Sequence, residues 1–203
     1  LPEVPMQIRL ADDRVGHFLD AVKDFSRDQE KDLYVEIVRR WRLEKKDPSA
    51  AMSEPVEPIV FYIDRSVPEA YRPYVRRGIE AWNSAFEQAG FRNAVVAKDA
   101  PDDPSWNAED IRYSAVRWTA AHQMGYAIGP SQSDPRTGEQ LNGDVLLSSG
   151  FMQGWIWNYQ RLANPGASAA PASELADMIA ARGAQSRQAL ALDPWQLAFQ
   201  CYA

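Results

Sequence analysis

The run Pro58-Ile59-Val60-Phe61-Tyr62-Ile63-Asp64 constrains the fold more than any other stretch, because every side chain between its proline and its aspartate is apolar or aromatic. It is too short for a buried helix and has no polar face, so it reads as a strand buried on both sides. Such a strand needs neighbours along its edges and cover on its faces. That requirement points to a layered α/β domain.

The cover follows at once in the sequence. Ser66 with Glu69 three residues on reads as a capping box, Pro68 sits in the first turn, and Pro73 marks an alternative start. Tyr71, Val75, Gly78, Ile79, Trp82, Phe86 and Ala89 recur at three- and four-residue spacing, the stripe of an amphipathic helix, and Gly90 follows as its C-terminal cap. Ile79, Trp82 and Phe86 are expected to lie on the strand Ile59–Ile63. Further strands are predicted over 93–98, over 111–118 with Ile111, Tyr113 and Ala115 on one side, and over 144–148. Gly125-Tyr126-Ala127-Ile128-Gly129 is a candidate edge strand, a plain loop being the alternative. Residues 131–142 read as a polar loop.

On the N-terminal side, residues 1–32 read as polar and irregular. Val35, Ile37, Trp41 and Leu43 alternate with polar residues as in a half-buried strand over 33–43, and 45–58 reads as a loop. Beyond Phe151, residues 155–162 are predicted helical, 163–173 a flexible linker and 173–191 helical. The fold class is thus α/β, more exactly α+β: a twisted mixed sheet of about five strands with one long packed helix. An extension over 1–55 is expected to pack on a domain over 56–152, followed by a helical segment over 153–203. The chain opens without an initiator Met and ends on an apolar tail, so both ends read as cuts in a longer polypeptide.

Several function classes lose support on composition. A net charge of -6 argues against general nucleic-acid binding. No apolar run approaches the roughly 18 residues of a membrane helix. Phosphate-cradling and nucleophile-elbow glycine motifs are absent. With one Cys (Cys201) and two His (His17 and His122) far apart, the chain offers no paired ligand spacing, so no metal and no cofactor is predicted for it alone. Arg39, Arg40, Arg42, Lys45 and Lys46 read as a solvated strand face. Asp99, Asp102, Asp103, Glu109 and Asp110 read as a solvated acidic loop without the spacing of a calcium loop.

Several segments, taken together and in order, carry a family resemblance. They are Asp12-Asp13-Arg14-Val15-Gly16, Arg40-Trp41-Arg42-Leu43-Glu44-Lys45-Lys46-Asp47, the run 58–64, Gly78-Ile79-Glu80-Ala81-Trp82-Asn83-Ser84-Ala85-Phe86-Glu87-Gln88-Ala89-Gly90-Phe91, Asp110-Ile111-Arg112-Tyr113-Ser114, and Gly129-Pro130-Ser131 with Asp134-Pro135-Arg136-Thr137-Gly138-Glu139. Over roughly residues 8 to 152 the chain resembles the large bacterial zinc-dependent metallopeptidases with a metzincin-like catalytic domain.

The resemblance implies peptide-bond hydrolysis by a zinc-activated water, with the ligands on a His-Glu-x-x-His helix. This chain contains no such motif, and by the resemblance its place is downstream of Ala203. The zinc would then belong to the full-length protein, no catalytic residue would lie in this chain, and residues 1–203 alone would be inactive. The resemblance makes Gly125, Tyr126, Ala127, Ile128 and Gly129 the substrate-binding edge, since a sheet edge pairs with extended peptide through its backbone groups. Partners would be a peptide or protein substrate and the remainder of the same polypeptide. The location would be periplasmic or secreted. The competing reading is a non-catalytic module that binds peptide or protein through the exposed edge.

Overall fold

The computed structural model describes residues 1–27, 33–121 and 125–163. Its centre is a parallel sheet of four strands: β3 (Ile59–Ile63), β4 (Val95–Asp99), β5 (Ser114–Thr119) and β8 (Val145–Ser148), in the order β4-β3-β5-β8. The run that dominates the sequence is an inner strand of this sheet. Ile59 and Ile63 are buried in one cluster with Val75, Ile79, Val95, Ala97, Val116 and Leu147. Tyr62, out of phase with them, lies against Trp106 and Tyr113, with ring centroids 6.1 and 5.4 Å away. Alternation along the strand delivers side chains to both faces: α1 covers one, whereas the other, with Val60 and Tyr62 half-buried, is covered only in part by the rings of Trp106 and Tyr113. The α+β class is as the sequence predicts.

The covering helix differs from its expectation in two ways. Ser66 does not cap it: its backbone N–H and hydroxyl both donate to the Asp64 carboxylate, and its hydroxyl oxygen accepts the Trp118 N–H at 3.1 Å. Helix α1 begins six residues later, at Arg72–Glu80, with Pro73 in its first turn. The helix is also interrupted at Ala81 and Trp82 and resumes as α2 (Asn83–Gln88). The break is tied to β4. The Asn83 amide donates to the Val95 carbonyl at 2.8 Å and accepts the Val95 N–H at 2.9 Å, which fixes where that side chain must point. Val75, Gly78 and Ile79 are buried, whereas Trp82 and Phe86 are half-buried at the rim of the core and Ala89 is exposed. Gly90 ends the unit at φ +85°, where a Cβ would lie 2.7 Å from the Ala51 carbonyl oxygen.

Strand β5 starts three residues later than the alternation of Ile111 and Tyr113 suggests. Ile111 is exposed, and Asp110 to Tyr113 form a turn. The strand itself reads as an inner strand, with Ser114, Ala115 and Val116 all buried. Helix α3 (Ser149–Ala163) follows β8 directly, six residues earlier than predicted. Ser148 explains the start, since its hydroxyl oxygen accepts the Phe151 N–H at 3.0 Å as an N-cap does. The predicted linker and the helix over 173–191 lie outside the described residues.

Three other readings are corrected. The N-terminal stretch is not wholly irregular: β1 (Leu19–Lys23) pairs antiparallel with β2 (Tyr34–Val38), which is shorter than the strand expected over 33–43. The polar loop over 131–142 is a hairpin of β6 (Ser131–Asp134) and β7 (Glu139–Gly143). Its Asp134 carboxylate is fully buried because Arg136 at the turn donates to it, and Gly138 there adopts φ +72°. Of the basic cluster only Lys46 is exposed as on a solvated face; Arg39, Arg40, Arg42 and Lys45 are half-buried. Arg39 pairs with Asp20, Arg42 with Glu139 and Lys46 with Glu54. Arg40 and Lys45 donate to the carbonyls of Gln7 and of Ala50 and Ala51.

Candidate functional site

The two lateral edges of the parallel sheet are finished differently, and the difference defines the candidate site. On the β4 side, side chains take three of the four outward backbone groups of Val95 and Ala97. Asn83 takes both the N–H and the carbonyl of Val95, and Arg76 donates to the Ala97 carbonyl at 2.5 Å while holding Asp99 at 2.8 Å. An amide that satisfies both groups of one residue mimics a neighbouring strand. It blocks pairing of this edge at Val95.

On the β8 side the chain returns antiparallel. Ile128 and Leu146 exchange backbone hydrogen bonds, N–H of Ile128 to the carbonyl of Leu146 at 3.1 Å and the reverse at 2.7 Å. Two residues away on either side the register continues. The Asp144 N–H donates to the Pro130 carbonyl at 2.8 Å, and the Ser148 hydroxyl donates to the Tyr126 carbonyl at 3.1 Å. Residues 126, 128 and 130 thus turn their backbone groups toward β8. By alternation, Ala127 and Gly129 turn theirs outward. Among the described residues, no hydrogen bond engages the backbone of Gly125, Ala127 or Gly129. The five residues singled out from the sequence are therefore brought together as one edge segment, although only Ile128 forms a full bridge.

The side chains of this segment explain why it stays in place. Ala127 is half-buried against the Phe151 and Met152 cluster of α3, on which Trp118 of β5 also packs, and Trp118 itself stacks on Tyr71 at 5.2 Å. Tyr126 and Ile128 are about half exposed, at 52% and 42%. A Cβ on Gly125 would meet nothing within 4 Å, and one on Gly129 only the Asp144 carbonyl oxygen at 3.8 Å. The glycines keep the outer side of the segment bare rather than relieving strain.

Chemistry beyond backbone pairing has few candidates. The acidic residues between β4 and β5 stay at the surface and are individually partnered: Asp99 by Arg76, Asp102 by Arg65, Asp103 by Ser105, Glu109 by Arg117 and Asp110 by Arg112. The Arg112 guanidinium and backbone hold the Asp110 carboxyl down at about 2. Among the described residues, no group of His, Cys, Asp and Glu gathers that could hold a metal. His17 is exposed, and His122 and Cys201 lie outside the described residues. The described residues therefore do not gather a zinc ligand set. Sequence reading missed Ser148, which ties α3 to the edge, and Asn83, which closes the opposite one. Ser148 carried a signal, a serine immediately before an apolar helical run; Asn83 carried none.

A family model described as a domain of unknown function, DUF5117, matches residues 1–46. No curated protein and no solved structure matches the chain. Among the described residues, no helix is long and apolar enough to cross a membrane.

Proposed function

We propose that this chain is the substrate-aligning part of a zinc-dependent metallopeptidase catalytic domain. The edge Gly125–Gly129 receives an extended peptide, and the metal and its ligands come from outside residues 1–203. One observation carries the reading. A parallel sheet blocked at Val95 and at the Ala97 carbonyl on its β4 edge ends on its other side in an antiparallel segment whose Ala127 and Gly129 backbone groups face outward unpaired. A peptide adding there gains main-chain hydrogen bonds without demanding particular side chains. That suits an enzyme acting on varied polypeptides. From β3 the elements run strand, interrupted helix, strand, strand, edge segment, hairpin and strand, which supports the order the resemblance implies with the β6–β7 hairpin added before the last strand. No catalytic step is assigned to this chain, and a periplasmic or secreted location rests on the resemblance alone. The second reading, a non-catalytic peptide-binding module, would use the same edge, and the activity of a longer chain separates the two.

Ala127→Pro tests the edge. Proline removes the outward N–H and sets its ring in the path of an incoming strand, while the inward bonds of Ile128 remain. A labelled ten-residue peptide of alternating valine and lysine is expected to bind the 203-residue chain and to lose at least about tenfold in affinity to the variant. Equal binding by a variant with an unchanged unfolding midpoint, or no binding by the parent chain, contradicts the proposal.

A further inference from the structure

We infer that the N-terminal segment matched by the family model is a clamp that positions the peptide edge through the β6–β7 hairpin, an inference that rests on the reading of Gly125–Gly129 as that edge. The hairpin is spliced into both sides of the edge ladder. Ser131 follows Pro130, whose carbonyl accepts from Asp144, and Gly143 precedes Asp144 and β8. Any tilt of the hairpin is therefore transmitted to the register of Ile128 against Leu146.

A two-stranded hairpin is marginal by itself. This one is held from outside by residues of the N-terminal segment. The Arg40 backbone lies alongside its turn as a short third strand, donating to the Gly138 carbonyl at 3.0 Å and accepting from the Gln140 N–H at 2.9 Å. The Arg42 guanidinium grips the Glu139 carboxylate with two parallel bonds of 2.7 and 2.6 Å, and the Glu139 side chain is only 9% exposed. Asp20 bridges the two parts, accepting from Arg39 at 2.7 Å and from the Ser133 hydroxyl at 2.5 Å. Contact at the turn is close enough that a Cβ on Gly138 would overlap the Val38 carbonyl oxygen. These bonds join residues 20 to 42 with residues 133 to 140, across 97 positions at Arg42–Glu139 and 113 at Asp20–Ser133. They occupy the basic side chains that sequence reading left on a solvated face. Arg42 and Glu139 are accordingly positioning residues for the edge.

Amide hydrogen exchange on the 203-residue chain tests this. In Arg42→Gln the amides of Ile128, Leu146 and the hairpin are expected to exchange about tenfold faster while those of β3 and β5 keep their protection. Ser133→Ala, which removes one bond only, is expected to act in the same direction by a smaller factor, and it serves should Arg42→Gln fail to fold. Affinity for the valine–lysine peptide is expected to fall by a factor similar to the exchange effect. Unchanged exchange at Ile128 and Leu146 in both variants overturns the clamp, as does equal acceleration throughout the sheet. If the parent chain binds no peptide, the reading of the edge fails, and exchange still decides whether the clamp exists.

Discussion

Residues 1–203 alone are expected to leave unfolded protein intact, whereas a longer natural chain carrying His-Glu-x-x-His downstream of Ala203 cleaves it, with the cleavage abolished by a chelator. The expectation follows from what an edge can and cannot do. Unpaired backbone groups such as those proposed to receive peptide at Ala127 and Gly129 can orient a chain but cannot make water nucleophilic near neutral pH. A bound metal does, by lowering the pKa of its water from 15.7 to about 7. His17 and His122 lie far apart in the sequence and form no His-x-x-x-His pair, so the chain offers no paired ligand spacing for a catalytic zinc. Assay of both chains on the same unfolded substrate, with and without chelator, is the check. Chelator-sensitive cleavage by the shorter chain contradicts the account. A longer chain that lacks the motif and stays inactive favours the non-catalytic module.

Ile63→Ala is expected to destabilise the chain by about 4 kcal/mol, toward the upper end of large-to-small core substitutions. Ile63 is 2% exposed and sits on the inner strand of the sheet, pairing with Asp99 on one side and Val116 on the other. Its neighbours come from β4, β5 and α1 together, so no single element can shift to fill the space. Trp82→Ala, at the half-buried rim where the helix is interrupted, is expected to cost less despite the larger side chain. Urea unfolding of both variants reads the difference, and a loss under about 1.5 kcal/mol at Ile63 would remove it from the core.

What the sequence made legible is what depends on local pattern. Ile59–Ile63 announced an inner strand because all its side chains are apolar, and Gly90 announced a helix end because its backbone needs a positive φ. The edge segment was legible as a short run between glycines. Elements fixed by distant polar partners were not. The β6–β7 hairpin reads as a polar loop because its strands carry Asp134, Glu139 and Asn142. These residues are buried in the structure, where Arg136, Arg42 and the Gln132 N–H satisfy the side chains in turn. Asn83 interrupts the helix for a bond to Val95, which no helical pattern encodes. The Ile111 and Tyr113 alternation misled because Asp110 and Arg112 close a turn there through their side chains.

The central claim is that extended peptide pairs with one edge of the sheet and not with the other. Backbone amide spectra of the isotopically labelled chain, recorded as the valine–lysine peptide is added, address it most directly. The account predicts saturable shifts and new exchange protection at Ala127 and Gly129, with Val95 and Ala97 unmoved behind Asn83 and Arg76. Shifts confined to Val95 and Ala97, or an edge segment that never responds, would contradict it.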